Sequence, residues 1–249
     1  MNKIDRHLKA LELDKVLERL AGYTACEDAR EAALGLRPAK SEEEQCERMQ
    51  LTFDAYTLEA RHGTPSFGGM GNVAHQLRKA ASGGVLSMGE LLGIASLLRA
   101  VRSVAEWSQD AAELEDMSIS QYFTQLVPNK YFEELITSSI LSEDEMADSA
   151  SPQLADIRRK IRSASSGIKD KLDSMIHQAS VVKYLQDAIV TIRDGRYVIP
   201  VKSEYKSSVS GIVHDTSASG ATLFIEPMAV VEMNNQIRVL QNAEKAEIE

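Results

Sequence analysis

Four polar residues that lie close together in the sequence could form a hydrolytic site. His214 and Asp215 are followed by Ser217 and Ser219, which are the residue types of a serine hydrolase. Adjacent residues on a strand point to opposite faces, so His214 and Asp215 should not orient each other, and no nucleophile-elbow pattern surrounds either serine. We therefore interpret the small polar residues as a turn, in which Gly220 supplies an unusual backbone angle.

A second group of residues is basic and could bind phosphate. Its cations and the tyrosines between them are Arg193, Arg196, Tyr197, Lys202, Tyr205 and Lys206. Interleaved cations and aromatic rings suit a nucleic-acid backbone, so we predict that the four cations contact nucleic acid. The alternative is that the arginines only flank an exposed turn. The nearby acidic residues Asp194, Glu204 and Asp215 leave this segment close to neutral.

No other pattern in the sequence predicts a catalytic, cofactor or metal site. The glycines between residues 63 and 71 suggest a phosphate-binding loop, but the GxxxxGK[ST] pattern is absent from the chain. The 5 histidines and the many acidic residues lack the spacing of metal ligands. Cys26 and Cys46 fall in separate predicted helices and are expected to be reduced thiols. We expect no catalytic residue, no bound cofactor and no metal in this chain.

Charge is distributed unevenly along the chain. The net charge is -9, yet residues 151–225 contain 11 basic and 7 acidic residues, whereas residues 1–150 contain 15 and 25. Only the middle stretch could face phosphate without an electrostatic penalty. No apolar run approaches the roughly 20 residues of a membrane helix, and the N-terminus lacks the apolar region of a signal peptide. We therefore expect a cytoplasmic protein without a membrane partner.

The order of helix and strand signals predicts a mainly α protein with a small antiparallel β module. Residues 1–150 carry repeated helix start and stop signals and are predicted to form a helical core domain. Thr24, Ser41 and Ser87 are the predicted N-caps of three helices, the last two with a glutamate three positions later. The glycine-rich residues 63–71 should form a loop.

One helix is predicted to be unusually long. Ser151 is a suitable N-cap, Pro152 suits the first turn, and no breaker except Gly167 follows until about Asp187. Residues 151–187 are therefore predicted to form one lever helix, about 50 Å long. Its apolar residues recur every three or four positions, which favours pairing with another helix, although a plain core helix is the alternative.

The pattern then changes to that of strands. β-Branched residues on both sides of Asp194-Gly195 predict a hairpin, and two further strands are expected at 211–215 and 221–225, so residues 188–227 form the β module. Pro200 cannot donate to a ladder, so we expect its strand at an edge or a bulge. Residues 228–249 return to helix without a stop signal, and we expect that helix to be truncated before a further domain.

Several segments together resemble one known family. They are the run TIRDGRYVIPVK at 191–202, the run GIVHDTSASGATLFIEP at 211–227, the pair Asn234-Asn235, and the shorter patterns LEL at 11–13 and DSAS at 148–151. They are similar to the second type of bacterial MutS protein, the paralogues that carry an Smr domain. The resemblance covers essentially the whole chain.

The resemblance implies an architecture and a set of activities. In that family a helical core and lever carry a small β clamp. They are followed by a MutS-type ATPase that dimerises and by an Smr domain that acts on nucleic acid. We therefore expect DNA, branched DNA or ribosomal RNA on collided ribosomes as partners, a homodimer in the full-length protein, and ATP with Mg²⁺ at the ATPase. Neither catalytic part lies in these residues, so this chain is not expected to be an enzyme by itself. The alternative is a protein-interaction and dimerisation scaffold without direct nucleic-acid contact.

Overall fold

The chain folds into two compact units. A computed structural model describes the backbone of residues 3–249 and, except at residues 3–5 and 112, their side chains. The units are Met1–Ala147 and Asp148–Glu249. The first consists largely of helices, and the second combines helices with a four-stranded sheet. The predicted mainly α fold with a small antiparallel β module is confirmed.

The first unit is built from short and medium helices with one small hairpin. Its helices are α1 (Lys3–Ala10), α2 (Leu13–Ala21), α3 (Glu27–Leu34), α4 (Glu42–His62), α5 (Ala74–Ala81), α6 (Met88–Gln109), α7 (Ser120–Phe123) and α8 (Lys130–Ser139), with a 3-10 turn at Ala112–Asp116. The antiparallel strands β1 (Ile140–Ser142) and β2 (Glu145–Met146) follow α8. The sequence did not predict this hairpin, whose strands are only 3 and 2 residues long.

Helix starts in this unit follow local hydrogen-bonding chemistry. Ser87 and Glu90 form the complete predicted capping box of α6, and the Ser41 hydroxyl accepts the Glu44 N–H at the start of α4. The predicted cap at Thr24 is wrong. Its hydroxyl donates to the Ala21 oxygen at 2.8 Å, so Thr24 completes the end of α2, and α3 begins only after residue 26.

A buried acidic residue fastens α8 to α6. Glu133 is buried, and Arg102 binds both of its oxygens, through Nε at 2.9 Å and Nη2 at 3.0 Å. Arg99 adds a third hydrogen bond at 3.2 Å. The hydrogen bonds from Arg102 lower the pKa of the Glu133 carboxyl, so it remains ionised in its buried position.

The second unit contains the β module. Its elements are α9 (Pro152–Ile176), α10 (Ala179–Val182), β3 (Thr191–Arg193), β4 (Arg196–Lys202), β5 (Gly211–Thr216), β6 (Thr222–Pro227) and α11 (Met228–Ile248), with 3-10 turns at Asp148–Ala150 and Ser203–Ser208. The strands form one antiparallel sheet in the order β3-β4-β6-β5. The Ser151 hydroxyl accepts the Leu154 N–H at 2.9 Å, as predicted for the N-cap of α9.

The lever helix is shorter than predicted. α9 ends at Ile176 after 25 residues, about 37 Å, and does not continue to Asp187. Tertiary pairing explains why the helix does not reach Asp187: the Gln186 N–H donates to the Pro200 carbonyl oxygen at 2.9 Å, and the Lys202 N–H donates to the Tyr184 carbonyl oxygen at 3.0 Å. Leu185 therefore forms a bridge with Val201 of β4, although residues 184–186 continue the helical pattern of the sequence.

Pro200 also lies in a different place from the one expected. Its strand, β4, is central rather than at an edge, with β3 on one side and β6 on the other. β3 is so short that it reaches only to Val198, and beyond that point the neighbour of β4 is the segment 184–186. An N–H at position 200 would point towards Gln186, at the end of the pairing between residues 184–186 and β4. The proline therefore removes at most one hydrogen bond, at the end of that pairing.

The predicted apolar seam of α9 is filled within the chain. α9 lies along α11, where the Ser151 hydroxyl donates to Glu247 at 2.6 Å and Arg158 forms an ion pair with Glu244 at 2.6 Å. The buried residues that α9, α11 and the sheet share are Ile168, Leu172, Ile176, Ile199, Val201, Ile225, Val230 and Ile237. The pairing helix expected from the pattern is therefore α11 of the same chain. Among residues 3–249, no helix is both long and apolar enough to cross a membrane.

Candidate nucleic-acid interface

The four predicted phosphate-binding cations do not form one cluster. Arg193 and Arg196 flank the turn between β3 and β4, whereas Lys202 ends β4 and Lys206 lies in the 3-10 turn after it. The six residue steps of β4 correspond to about 20 Å. The structure therefore separates an arginine pair at one end of the sheet from a lysine pair at the other.

The hairpin turn that separates the arginines is present as predicted. Asp194 and Gly195 both have positive φ, 49° and 73°, as a two-residue hairpin turn of type I′ requires. Arg193 and Arg196 are directly paired across the two strands. Two like charges this close would destabilise the hairpin unless each had an acidic partner.

Arg193 is held by groups of the protein itself. Its Nε forms an ion pair with Asp215 at 3.2 Å, and its Nη1 donates to the Ile192 oxygen at 2.9 Å. The guanidinium carbon lies 4.2 Å from the centre of the Phe224 ring, which gives a cation–π contact. These contacts account for the position of Arg193 without a ligand.

Arg196 binds a completely buried carboxylate. Glu226 is 0% exposed, and its Oε1 accepts from Arg196 Nη1 at 3.0 Å and from the Asn234 amide at 2.7 Å. Its other oxygen lies 2.5 Å from His214 Nε2. A buried carboxylate is tolerated because three donors replace the water it has lost.

Asn234 links this network to the backbone of β4. Its Oδ1 accepts the Tyr197 N–H at 3.2 Å, and its amide donates to the Tyr197 oxygen at 3.3 Å. The side chain thus takes the place of a neighbouring strand where β6 no longer pairs with β4. Because Asn234 belongs to α11, the network fixes that helix to the sheet.

The residues that suggested hydrolysis have structural roles instead. His214 binds Glu226 and Asp215 binds Arg193, so they do not form the pair that a catalytic triad needs. The Ser217 hydroxyl accepts the Thr222 N–H at 3.1 Å and so closes the turn between β5 and β6. The rejection of a serine hydrolase agrees with this geometry.

At the opposite end of the sheet, lysines lie without acidic partners. No carboxylate within the part of the chain that the structure describes forms an ion pair with Lys202 or Lys206. Lys183 lies at the same end of the sheet, because it directly precedes Tyr184, whose backbone carbonyl oxygen accepts the Lys202 N–H. Lys183 was not among the predicted phosphate-binding cations because the sequence pattern placed it in the lever helix.

Two tyrosines accompany these lysines. The rings of Tyr184 and Tyr205 are 5.2 Å apart and tilted by 49°, and Lys183 Nζ lies 4.8 Å above the Tyr184 ring. We call this group, Lys183, Tyr184, Lys202, Tyr205 and Lys206, the lysine end. The exposed Glu204 is the only acidic residue within the 3-10 turn that carries Tyr205.

A turn rich in small polar residues adjoins the lysine end. It joins β5 to β6, and its Ala221 oxygen accepts the Ser203 N–H at 3.0 Å, directly after Lys202. The N–H groups of Ala218 and Ser219 have no acceptor among the residues that the structure describes. Backbone N–H groups and hydroxyls of this kind are common partners of phosphate oxygens. Within the same described residues, no group of three His, Cys, Asp or Glu side chains is placed to hold a metal ion.

Comparison with known proteins identifies the relatives of the chain. No family model matches it. Proteins named Endonuclease MutS2 are similar over nearly its whole length: that of Acetivibrio thermocellus is 47% identical over 98% of the chain, that of Ruminiclostridium cellulolyticum 44% over 97%, and that of Clostridium botulinum 40% over 100%. The chain spans 31% of the length of each of these relatives. Because this identity extends over practically the whole chain, the chain belongs to the MutS2 family and corresponds to about a third of the length of each of these relatives.

Proposed function

We propose that this chain contacts nucleic acid through the lysine end and is not itself catalytic. The observation that carries the proposal is the difference between the two ends of β4. Both arginines are bound to carboxylates, Asp215 and Glu226, whereas the three lysines at the other end have no such partner in the described structure.

The electrostatics of the chain favour this location. Cations without a counter-charge release condensed ions when they bind phosphates, and this release is the main source of non-specific affinity for nucleic acid. The first unit, Met1–Ala147, holds 15 basic and 24 acidic residues and should repel a phosphate backbone. The lysine end therefore presents positive charge to a nucleic-acid strand, whereas the first unit presents net negative charge.

The full-length protein would place this contact in a larger cycle. We propose DNA, branched DNA or ribosomal RNA as the nucleic acid, a homodimer as the working form, and the cytoplasm as the site of action. ATP and Mg²⁺ would act at an ATPase domain elsewhere in the protein. α9 and α11 are joined along their length and fixed to the sheet through Asn234, so they would transmit the state of the ATPase to the β module.

A salt series tests the contact directly. Lys183, Lys202 and Lys206 are changed together to Ala, and the affinity of the chain is measured for labelled DNA duplex, branched DNA and ribosomes. We expect weaker binding and a shallower salt dependence, because the slope of log K against log salt falls by about 0.9 for each duplex phosphate that the protein no longer neutralises.

The matched control removes three exposed lysines of the first unit, Lys9, Lys40 and Lys130, and so changes the net charge equally. Under our proposal it leaves the affinity and the salt dependence close to those of the unmodified chain. Equal affinities and slopes for the unmodified chain and the Lys183/Lys202/Lys206 variant would refute the proposal. The predicted contacts of Arg193 and Arg196 stay a prediction, and their variants need a parallel stability measurement because both arginines hold the sheet together.

A second candidate, an interaction scaffold, has support from the first unit. Met49, Phe53 and Tyr56 lie on one face of α4 and are 63%, 63% and 69% exposed. An uncovered apolar stripe of this kind suits a protein partner. Self-association that persists at high salt and is abolished by Phe53→Glu, in sedimentation velocity, would favour this candidate.

A further inference from the structure

We propose that the lysine end binds an unpaired nucleic-acid strand, with bases stacked on Tyr184 and Tyr205 and phosphates held by the lysines beside them. This inference rests on the proposed function and names the class of strand. The two rings are partly exposed, and their hydroxyls have no hydrogen-bond partner in the part of the chain that the structure describes.

The rings are held in place before any ligand binds. Both tyrosines pack against the core that α9, α11 and the sheet share. The backbone of Tyr184 is anchored because its carbonyl oxygen accepts the Lys202 N–H and because the next residue, Leu185, is buried. Tyr205 lies in a 3-10 turn that begins where Ser203 binds the Ala221 oxygen. A platform fixed in this way loses little conformational entropy when a base stacks on it.

Each ring has a lysine next to it in the chain. Lys183 Nζ is 4.8 Å from the centre of the Tyr184 ring, and Lys206 directly follows Tyr205. A nucleotide presents a flat base and a charged phosphate a few ångströms apart, so a ring with a neighbouring cation suits one nucleotide. The N–H groups of Ala218 and Ser219, which have no acceptor within the described residues 3–249, lie on the adjoining turn and could donate to further phosphate oxygens.

The tyrosines distinguish an unpaired strand from a duplex. Base faces are covered in a duplex by the neighbouring pairs, so a ring on the protein surface cannot reach them, whereas lysines bind duplex phosphates equally well. Lysines alone would give no preference. The ring planes are tilted by 49°, so bases stacked on the two rings would not be parallel, which a flexible strand allows.

The test compares leucine and phenylalanine variants. Affinities are measured by fluorescence anisotropy for an oligomer of about 20 thymidines, its duplex and the matching uridine oligomer, since single-strand sites cover roughly 4–16 nucleotides. Tyr184→Leu and Tyr205→Leu keep apolar bulk but remove the aromatic face. We expect each to weaken single-strand binding about tenfold, to change duplex binding less than twofold, and to be rescued by phenylalanine. Tyr131→Leu, on the exposed surface of α8, is the matched control and should have no effect.

The outcomes separate the two proposals. If the leucine variants bind like the unmodified chain while the triple lysine variant binds more weakly, stacking is refuted and the nucleic-acid contact stands. If they weaken single strand and duplex equally, the preference for unpaired nucleotides is refuted. If the lysine variant also binds like the unmodified chain, the proposed function fails together with the inference. The thymidine and uridine oligomers show whether DNA or RNA is preferred.

Discussion

Substitution of Glu226 by glutamine is expected to destabilise the second unit strongly. The carboxylate accepts hydrogen bonds from Arg196, His214 and Asn234 and is 0% exposed. Glutamine has one oxygen in place of two and no charge, so Arg196 loses its ionic partner, and an NH₂ group turned towards Arg196 or Asn234 would face a donor. One charge-assisted hydrogen bond is then removed, at a cost of about 1.5–3 kcal/mol, and one buried donor is left unsatisfied, about 1–3 kcal/mol.

The two contributions sum to about 2.5–6 kcal/mol. We expect a loss of about 3 kcal/mol, because the glutamine oxygen keeps part of the network, and this value is at the lower limit of the range for breaking a buried ion pair. For a unit of about 100 residues, each kcal/mol lowers the transition temperature by about 4–8 °C, so we expect a shift of roughly 15 °C. Differential scanning calorimetry measures it. Glu232→Gln is the matched control, because Glu232 is an exposed residue of the same helix, α11, and should change the transition little.

A double variant tests the cause. If the loss arises from an unpaired Arg196, Glu226→Gln combined with Arg196→Met should be less destabilised than the sum of the single variants, by at least about 1 kcal/mol. A Glu226→Gln protein within about 0.5 kcal/mol of the unmodified chain would show that the network does not hold the sheet and α11 together.

Two further predictions follow from buried contacts in the two units. Arg102 lowers the pKa of Glu133, so the stability that Glu133 contributes is complete above the unfolded carboxyl pKa of about 4.3 and is lost as pH falls through the lower folded value. The difference in urea midpoint between the unmodified chain and Glu133→Gln, followed by Trp107 fluorescence, should therefore shrink as pH falls below about 4, and a constant difference would contradict this. Gly211→Ala would place a Cβ 2.3 Å from the backbone carbonyl oxygen of Glu226 and should destabilise the second unit by about 1–3 kcal/mol in calorimetry. Gly71→Ala is the control, because a Cβ at Gly71 would meet open space, and it should leave the stability unchanged.

Features with a local chemical cause could be predicted from the sequence. Ser87 and Ser151 cap helices as predicted, because an N-cap needs only an acceptor side chain and the next turn of the same helix. The turn at Asp194-Gly195 follows for the same reason, since its positive φ angles depend on two adjacent residues. That the lever helix does not reach Asp187 could not be predicted, because residues 184–186 pair with β4, which is remote in the sequence.

The candidate site shows the same division. Residue type and spacing predict Lys202 and Lys206 as phosphate contacts, which stays a prediction. They give no partner for Arg196, because Glu226 lies 30 positions away in the sequence and only the folded sheet brings it to the arginine. One signal in the sequence does point to this partner. Glu226 is the next-to-last residue of a mostly apolar strand, TLFIEP, and an acidic residue buried in such a strand needs a basic partner.

The hydrogen bond between Ser151 and Glu247 joins residues 96 positions apart. During synthesis at about 5–20 residues per second, α9 would leave the ribosome several seconds before the helix that covers it is made. During that interval the strands at residues 191–227 are made, but the apolar seam of α9 still lacks α11 to cover it. The second unit therefore cannot fold stepwise from its N-terminal end, and nascent chains that stop before α11 should be substrates for chaperones that bind apolar helices.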